Sequence, residues 1–170
     1  MKSRTEDKVV NGLRTEVTTS LSFDEVLGRL RAQMGQASVQ EVIALAGLAT
    51  SEVAYAREVE KRFVGESGFM LFAEIDHGAW LPKFGINRRT VRWILGNPLI
   101  AITMIRHDIT AGLFAPVELL VTEAEGMQGT MLTYMKPSSL MVVQDNPLLL
   151  KAAKALDEKY DTLVARATMP

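Results

Sequence analysis

Two strand-like segments followed by a long amphipathic helix constrain the fold of this chain most. Residues 116–123 and 130–136 are typical of strands, and the loop between them contains Gly126 and Gly129, which is typical of a hairpin. Asn146-Pro147 then predicts a helix start, because Asn suits the N-cap and Pro the first turn. The inward face of that helix carries Leu149, Ala153, Leu156, Tyr160 and Leu163. A hairpin and a helix with one apolar face each must pack together.

The upstream segments add further strands and helices to this unit. They are a strand at 13–19, a helix beginning at Ser22 with Glu25 three residues on, strands at 69–76 and 91–95, and a helix at 99–107. Strands separated by helices, then a hairpin and a final helix, predict an α+β fold with one mostly antiparallel sheet on the long C-terminal helix.

Residues 36–65 predict a pair of helices between the first helix and the second strand. Ser38 with Glu41 marks the first start, and Ser51 the second. We expect the inward residues to be Val39, Val42, Ile43 and Ala46 on the first helix and Val53, Ala56 and Val59 on the second.

Composition bounds the function classes. The 170 residues suit one domain, with residues 1–11 as an N-terminal tail. The net charge of −1 argues against electrostatic binding of nucleic acid or of an anionic membrane. The apolar run at 98–105 is far short of the ~20 residues of a membrane-spanning helix. Without cysteine, and with only His77 and His107, we expect no metal site and no cofactor. We expect a cytoplasmic protein, because no signal peptide is visible and cysteine is missing.

The strand at 69–76 carries the clearest candidate chemistry. Glu74 and Asp76 are two residues apart and so point to one face, which Met70 and Phe72 are expected to share. Apolar neighbours raise the pKa of a carboxyl group, which suits a general acid or base. The alternative is that the strand end reaches water and both carboxylates are simply hydrated.

His77 and Asn97 are further candidates. Side chains at i and i+1 of a strand point to opposite faces, so Asp76 and His77 meet only if the chain turns at His77, which Gly78 permits. They would then lie near the Asn97 amide as an acid–base pair with a hydrogen-bond donor. Both residues have a structural alternative: His77 can hold the turn, and Asn97 can cap the following helix.

Two side-chain clusters are further candidates. Met131 and Met135 are four apart on a strand and so share a face, either in the core or along an adaptable ligand surface. Arg88, Arg89 and Arg92 lie near Trp93, which is weak evidence for stacking on a nucleic-acid base in a chain of net charge −1.

Four short motifs resemble the domain-of-unknown-function 302 family in residues and in order. They are Glu74-Ile75-Asp76-His77, Ile94-Leu95-Gly96-Asn97-Pro98, Pro116-Val117-Glu118-Leu119-Leu120-Val121 and Tyr134-Met135-Lys136-Pro137. The likeness covers about residues 13–35 and 66–163. The family's motif positions fall on Asp76, His77, Gly96, Asn97, Pro98 and Pro116.

The resemblance implies a small bacterial or archaeal domain of the helix-grip type (β-α-β(4)-α), in which a curved sheet wraps the C-terminal helix. It also implies a homodimer, and it supplies no activity. Residues 36–65 are interpreted as a helical insertion. The chain departs from the family at 113–116, where an acid is missing, and at Glu118, where a lysine is common.

Two functional hypotheses follow. In the first, the domain binds a small molecule in a cleft between sheet and helix, with Asp76 and His77 as acid–base groups. The expected ligand-binding residues are Asn97, Glu74, Phe72, Met70, Met131 and Tyr134. In the second, the domain is a non-catalytic homodimeric interaction module. A cleft reached by both Asp76 and His77 would favour the first hypothesis, and a filled core with an apolar face on residues 39–59 would favour the second.

Overall fold

The computed structural model describes residues 3–169, which contain six strands and six α-helices. The strands are β1 (Arg14–Thr19), β2 (Gly35–Gln36), β3 (Met70–Asp76), β4 (Thr90–Gly96), β5 (Val117–Glu123) and β6 (Thr130–Met135). The helices are α1 (Phe23–Gln33), α2 (Val39–Leu48), α3 (Glu52–Phe63), α4 (Pro98–Ile105), α5 (Pro137–Met141) and α6 (Pro147–Thr168). Short 3-10 helices lie at Leu81–Phe84, Ile109–Phe114 and Glu125–Met127.

The strands form one sheet in the order β1-β6-β5-β4-β3-β2. All neighbouring pairs are antiparallel except β2 with β3, which is parallel and two residues long. The predicted α+β fold with a mostly antiparallel sheet and a long C-terminal helix is therefore confirmed. The two-residue β2 could not be predicted, because so short a strand carries no alternation to read.

One face of the sheet packs on α1 and α6 and forms the main core. Trp93, Leu119 and Leu132 of the sheet are completely buried there, as are Leu30 of α1 and Tyr160 of α6. The Tyr134 and Tyr160 rings lie 4.4 Å apart between their centroids, and the Tyr160 hydroxyl donates to the Glu118 carbonyl at 2.8 Å. Side chains therefore fill most of the space between the sheet and α6.

A β-bulge in β3 changes which residues share a face. Leu71 lies opposite Leu95 and Ala73 opposite Ile94, so Phe72 is an extra residue in the strand. As a result Met70 and Phe72 pack into the second core, whereas Glu74 lies opposite the buried Trp93 on the other face. The prediction that Met70 and Phe72 share a face with Glu74 and Asp76 is wrong, because it assumed unbroken alternation.

The α2–α3 pair covers the second core, a small cluster of Ala37, Val42, Leu45, Val59 and Met70. Val42 and Val59 are buried as predicted. Val39, Ile43, Ala46 and Val53 were also predicted inward but are exposed. For the three residues of α2 the reason is that this helix is apolar nearly all round, so its sequence does not mark which side faces the core.

The helix starts follow their predicted caps. Ser38 and Glu41 form a complete capping box on α2, and Ser22 accepts a hydrogen bond from the Glu25 amide on α1. Among residues 3–169, no helix is both long enough and apolar enough to cross a membrane.

Candidate functional site

A half-enclosed cavity of about 210 Å³ lies at the end of the sheet where β4 gives way to α4. Its walls come from four parts of the fold: α2, the strand β3 with the residue before it, the corner at 96–98 with α4, and the segment at 115–117. Leu156 of α6 also lines the cavity. The lining is almost wholly apolar, and none of the described residues that line it carries a charged side chain.

The corner at 96–98 is built by Asn97. Its side-chain oxygen accepts from the Leu99 amide at 2.8 Å and caps α4, and its side-chain amide donates to the Gly68 carbonyl at 2.9 Å. Pro98 occupies the first turn of α4, where a missing N–H costs nothing. Asn97 therefore anchors α4 to the loop that precedes β3.

Gly96 allows Phe72 and Pro116 to approach the corner closely. A Cβ at Gly96 would lie 3.1 Å from the Pro116 Cβ and 3.2 Å from the Phe72 Cε2, which is tighter than ordinary contacts. The absence of a side chain at Gly96 therefore lets a ring from β3 and a ring from the 115–117 segment form one continuous wall of the cavity.

The predicted acid–base pair lies at the other end of the same strands. Asp76 is opposite Val91, whereas Met70 is opposite Gly96, next to Asn97. The five residue steps from Val91 to Gly96 span about 17 Å of strand. The expected convergence of Asp76 and His77 near the Asn97 amide is therefore wrong.

At their own end, Asp76 and His77 shape a turn. The Asp76 Oδ1 accepts from the Ala79 amide at 3.2 Å, and the His77 carbonyl accepts from the amides of Trp80 and Leu81. The Trp80 ring meets the His77 imidazole edge-on, with 5.7 Å between centroids. The His77 Nδ1 is buried with no hydrogen-bond partner among the described residues.

Glu74 and Met70 also lie outside the cavity. The Glu74 carboxylate pairs with the Arg31 guanidinium at 2.6 Å on the helix-covered face. Met70 is completely buried in the second core.

Met131 and Tyr134 lie on β6 and point to opposite faces. Met131 lies opposite Thr122 and is half-buried on the open face of the sheet. Tyr134 is in the main core, and its hydroxyl donates to the Asp161 Oδ1 at 2.6 Å. Burial, and then the hydrogen bond to Asp161, raise the pKa of the Tyr134 phenol well above its usual value.

Of the residues predicted to bind a ligand, the structure brings Phe72 and Asn97 together at the cavity. It adds residues that the sequence reasoning missed: Val39 and Ile43 of α2, Ala101 and Met104 of α4, and Val117. The motif positions held a usable signal, because Gly96, Asn97, Pro98 and Pro116 all line the cavity. No pattern in residues 36–65 indicated that α2 would reach it.

Comparison with known proteins identifies the family. The family model described as "Domain of unknown function DUF302" matches residues 48–167, so the chain belongs to this family. No curated protein matches the chain.

A solved structure shows the same fold. It is that of the uncharacterized conserved protein DUF302 from Bacillus stearothermophilus, which superposes with a TM-score of 0.63 at 18% identity. The match covers 91% of this chain and 97% of the other. At this identity the likeness extends to the fold alone.

Proposed function

We propose that this domain binds a small molecule in the cavity at the β4–α4 corner. The observation that carries the proposal is the gathering of Phe72, Gly96, Asn97, Pro98 and Pro116, from three separate segments, around one concave apolar surface. Ligand sites are typically concave and mostly apolar, with a few placed polar groups.

The size of the cavity suits a small ligand. An apolar cavity of about 150 Å³ is enough to bind benzene. The cavity of about 210 Å³ therefore accommodates a compact ring or a short branched chain.

The proposal differs from the acid–base hypothesis in its residues. The described lining contains no Asp, Glu, His, Lys or Arg, so nothing that lines the cavity supplies a proton donor or acceptor of the usual kind. An acid–base role for Asp76 and His77 stays a separate prediction. It would need a substrate in the groove of about 610 Å³ that Asp76 lines together with Arg31 and Glu74, and His77 does not line that groove.

Filling the cavity tests the proposal. Ala101 lines the cavity, so we expect Ala101→Phe to occupy it and to abolish binding of every compound that enters. Methyl-resolved NMR against a fragment library of neutral, anionic and cationic compounds measures this, with the methyl signals of Val42 and Val117 as reporters. In the wild type, hits should shift both signals saturably.

Ile102→Phe is the matched control, because it places the same ring one residue along α4 at a side chain that is 42% exposed and outside the cavity. It should keep the hits. The proposal is contradicted if no fragment shifts the Val42 and Val117 signals, or if hits survive Ala101→Phe. If Ala101→Phe does not fold, Val39→Phe at the half-exposed rim replaces it.

A second candidate function, self-association, is favoured by a different observation. Residues 42–48 of α2 contain no charged side chain, yet Ile43 is 66% exposed and Leu48 79% exposed. Ala44, Ala46 and Gly47 are exposed beside them. Together with the filled space under α6, this is the arrangement that the interaction-module hypothesis expects.

The occupant we propose for this face is α2 of a second copy, packed antiparallel across a two-fold axis. An uncharged apolar face is complementary to itself, as a two-fold interface requires. A Cβ at Gly47 would meet nothing within 4 Å, so a neighbouring helix can approach closely there. The accessible surface of 10505 Å² also exceeds the about 8,300 Å² expected of a compact monomer of this mass. Part of this excess accessible surface belongs to the exposed residues 3–13. The rest is available for an interface, and a specific interface needs about 800 Å² from each partner.

Placing two lysines on α2 tests this interface. In an antiparallel pair centred on residue 46, residue 44 of one copy faces residue 48 of the other, so Ala44→Lys/Leu48→Lys brings like charges together. We expect the dimer dissociation constant to rise by more than 100-fold in sedimentation equilibrium. Neither residue lines the cavity, so fragment binding should persist.

Ile75→Lys, on the open face of the sheet, is the control for self-association and should leave the dimer intact. A wild-type protein that is monomeric at micromolar concentration contradicts this second candidate. Loss of the dimer through Ile75→Lys but not through the α2 variant assigns the interface to the sheet instead.

A further inference from the structure

We infer that the ligand of the cavity is a neutral, compact molecule with an apolar body and one hydrogen-bond acceptor, such as a carbonyl oxygen, that faces Asn97. This inference rests on the proposed function and adds the chemical class of the ligand. Three properties of the cavity carry it: the absence of charge, the unused capacity of the Asn97 amide, and the volume.

The first property is electrostatic. None of the described side chains that line the cavity is ionisable. A carboxylate or an ammonium group taken into such a site loses its hydration and gains no partner of opposite charge, which is strongly unfavourable. A ligand whose charged group enters the cavity is therefore expected to bind more weakly than a neutral one.

The second property is the hydrogen-bonding state of Asn97. Its side chain is one of the few polar groups in the lining, and it is more than nine-tenths buried. A primary amide has two N–H donors. One donates to the Gly68 carbonyl, which leaves the second N–H as a neutral donor. A ligand oxygen that accepts from it would satisfy a buried donor, which favours binding.

The third property is size. The cavity of about 210 Å³ exceeds the about 150 Å³ that holds benzene by the volume of a few further heavy atoms. The rings of Phe69, Phe72, Pro98 and Pro116 line it from several sides. The two phenyl faces and the two apolar pyrrolidine rings suit a single ring with a short substituent.

Four probes of nearly equal size separate these properties: ethylbenzene, acetophenone, benzoate and benzamidine. Acetophenone, benzoate and benzamidine share one planar shape and differ in charge, whereas ethylbenzene lacks the acceptor oxygen. Titrations followed by the Val42 and Val117 methyl signals of the full chain give each dissociation constant. We expect acetophenone to bind at least tenfold more tightly than benzoate or benzamidine, and severalfold more tightly than ethylbenzene.

Asn97→Asp tests the role of the amide. Asp keeps the oxygen that caps α4 but has no N–H to donate. Asp also loses the hydrogen bond to the Gly68 carbonyl, so the affinity of both compounds can fall. We expect acetophenone to lose severalfold more affinity than ethylbenzene, because only acetophenone loses a hydrogen bond to the amide. A melting curve of the variant verifies the fold. If Asn97→Asp does not fold, the comparison of acetophenone with ethylbenzene in the wild type still decides whether an acceptor oxygen is preferred.

The outcomes separate the two proposals. If benzoate or benzamidine binds in the cavity as tightly as acetophenone, the inferred class is wrong and the cavity remains a binding site. If acetophenone binds no better than ethylbenzene, the role assigned to Asn97 is wrong. If no probe and no library fragment shifts the two methyl signals, the proposed function itself fails.

Discussion

Gly35→Ala should destabilise the protein by about 4 kcal/mol or more, which is exceptional for the addition of one methyl group. A Cβ at Gly35 would overlap the Phe63 carbonyl oxygen and lie 2.6 Å from the Phe63 carbonyl carbon and 2.9 Å from the Gly65 amide nitrogen. These are backbone atoms, so no rotamer change relieves the clash. Since domains of this size are stable by about 5–15 kcal/mol, much of the stability would be lost.

Gly28→Ala is the control for that experiment. Gly28 lies inside α1, and a Cβ there would meet nothing within 4 Å. Alanine is a better helix former than glycine, so we expect a gain of about 0.5–1 kcal/mol. Urea denaturation of the wild type and both variants measures the two changes in the free energy of unfolding. A midpoint for Gly35→Ala within error of the wild type would contradict the close approach of the two backbone segments.

Gly35 also shows what the sequence could not reveal. A glycine at this point is typical of a helix stop, and α1 does end two residues before it, at Gln33. Gly35 itself lies in β2 and is not among the glycines with positive φ, so the usual reason for a glycine after a helix does not apply. The reason for glycine is its contact with Gly65, which is thirty residues away in the chain. The amides of both glycines donate to the Phe69 carbonyl, at 3.0 and 3.1 Å. The two ends of the segment that contains α2 and α3 therefore lie side by side, at Gly35 and Gly65.

The candidate site was predictable only in part, for a similar reason. Asn97-Pro98 indicated a helix start from local chemistry alone, and the structure has it. The position of Phe72 depends on a bulge that moves it and Met70 to the face opposite Glu74, and no local pattern marks that bulge. Alternation assigns faces correctly only while a strand is regular. The predicted cluster around Asp76 therefore mixed residues from two faces and from two ends of the sheet.

The two tryptophans provide the second large effect. Trp93→Ala should destabilise the protein by about 3–5 kcal/mol, because Trp93 is completely buried in the main core and alanine leaves a cavity there. The Arg31 guanidinium lies over its ring at 5.1 Å, and Leu119 is directly opposite on β5. The ring is therefore not available to stack on a nucleic-acid base, the role weighed for it beside Arg92.

Trp80→Ala provides the matched comparison, since the same atoms are removed from a side chain that is 48% exposed. Among the described residues, Trp80 forms T-shaped aromatic pairs with His77 and Phe84, so we expect a loss of about 1 kcal/mol. The free energy of unfolding of both variants is measured by chemical denaturation with far-UV circular dichroism as the signal. Tryptophan fluorescence is unsuitable, because each variant lacks one of the two tryptophans. Equal losses for the two variants would contradict the burial of Trp93. A loss of about 3 kcal/mol of unfolding free energy at Trp80 would mean that the turn at His77 contributes to global stability. The acid–base prediction for His77 would then be tested in a variant that keeps the Trp80 ring.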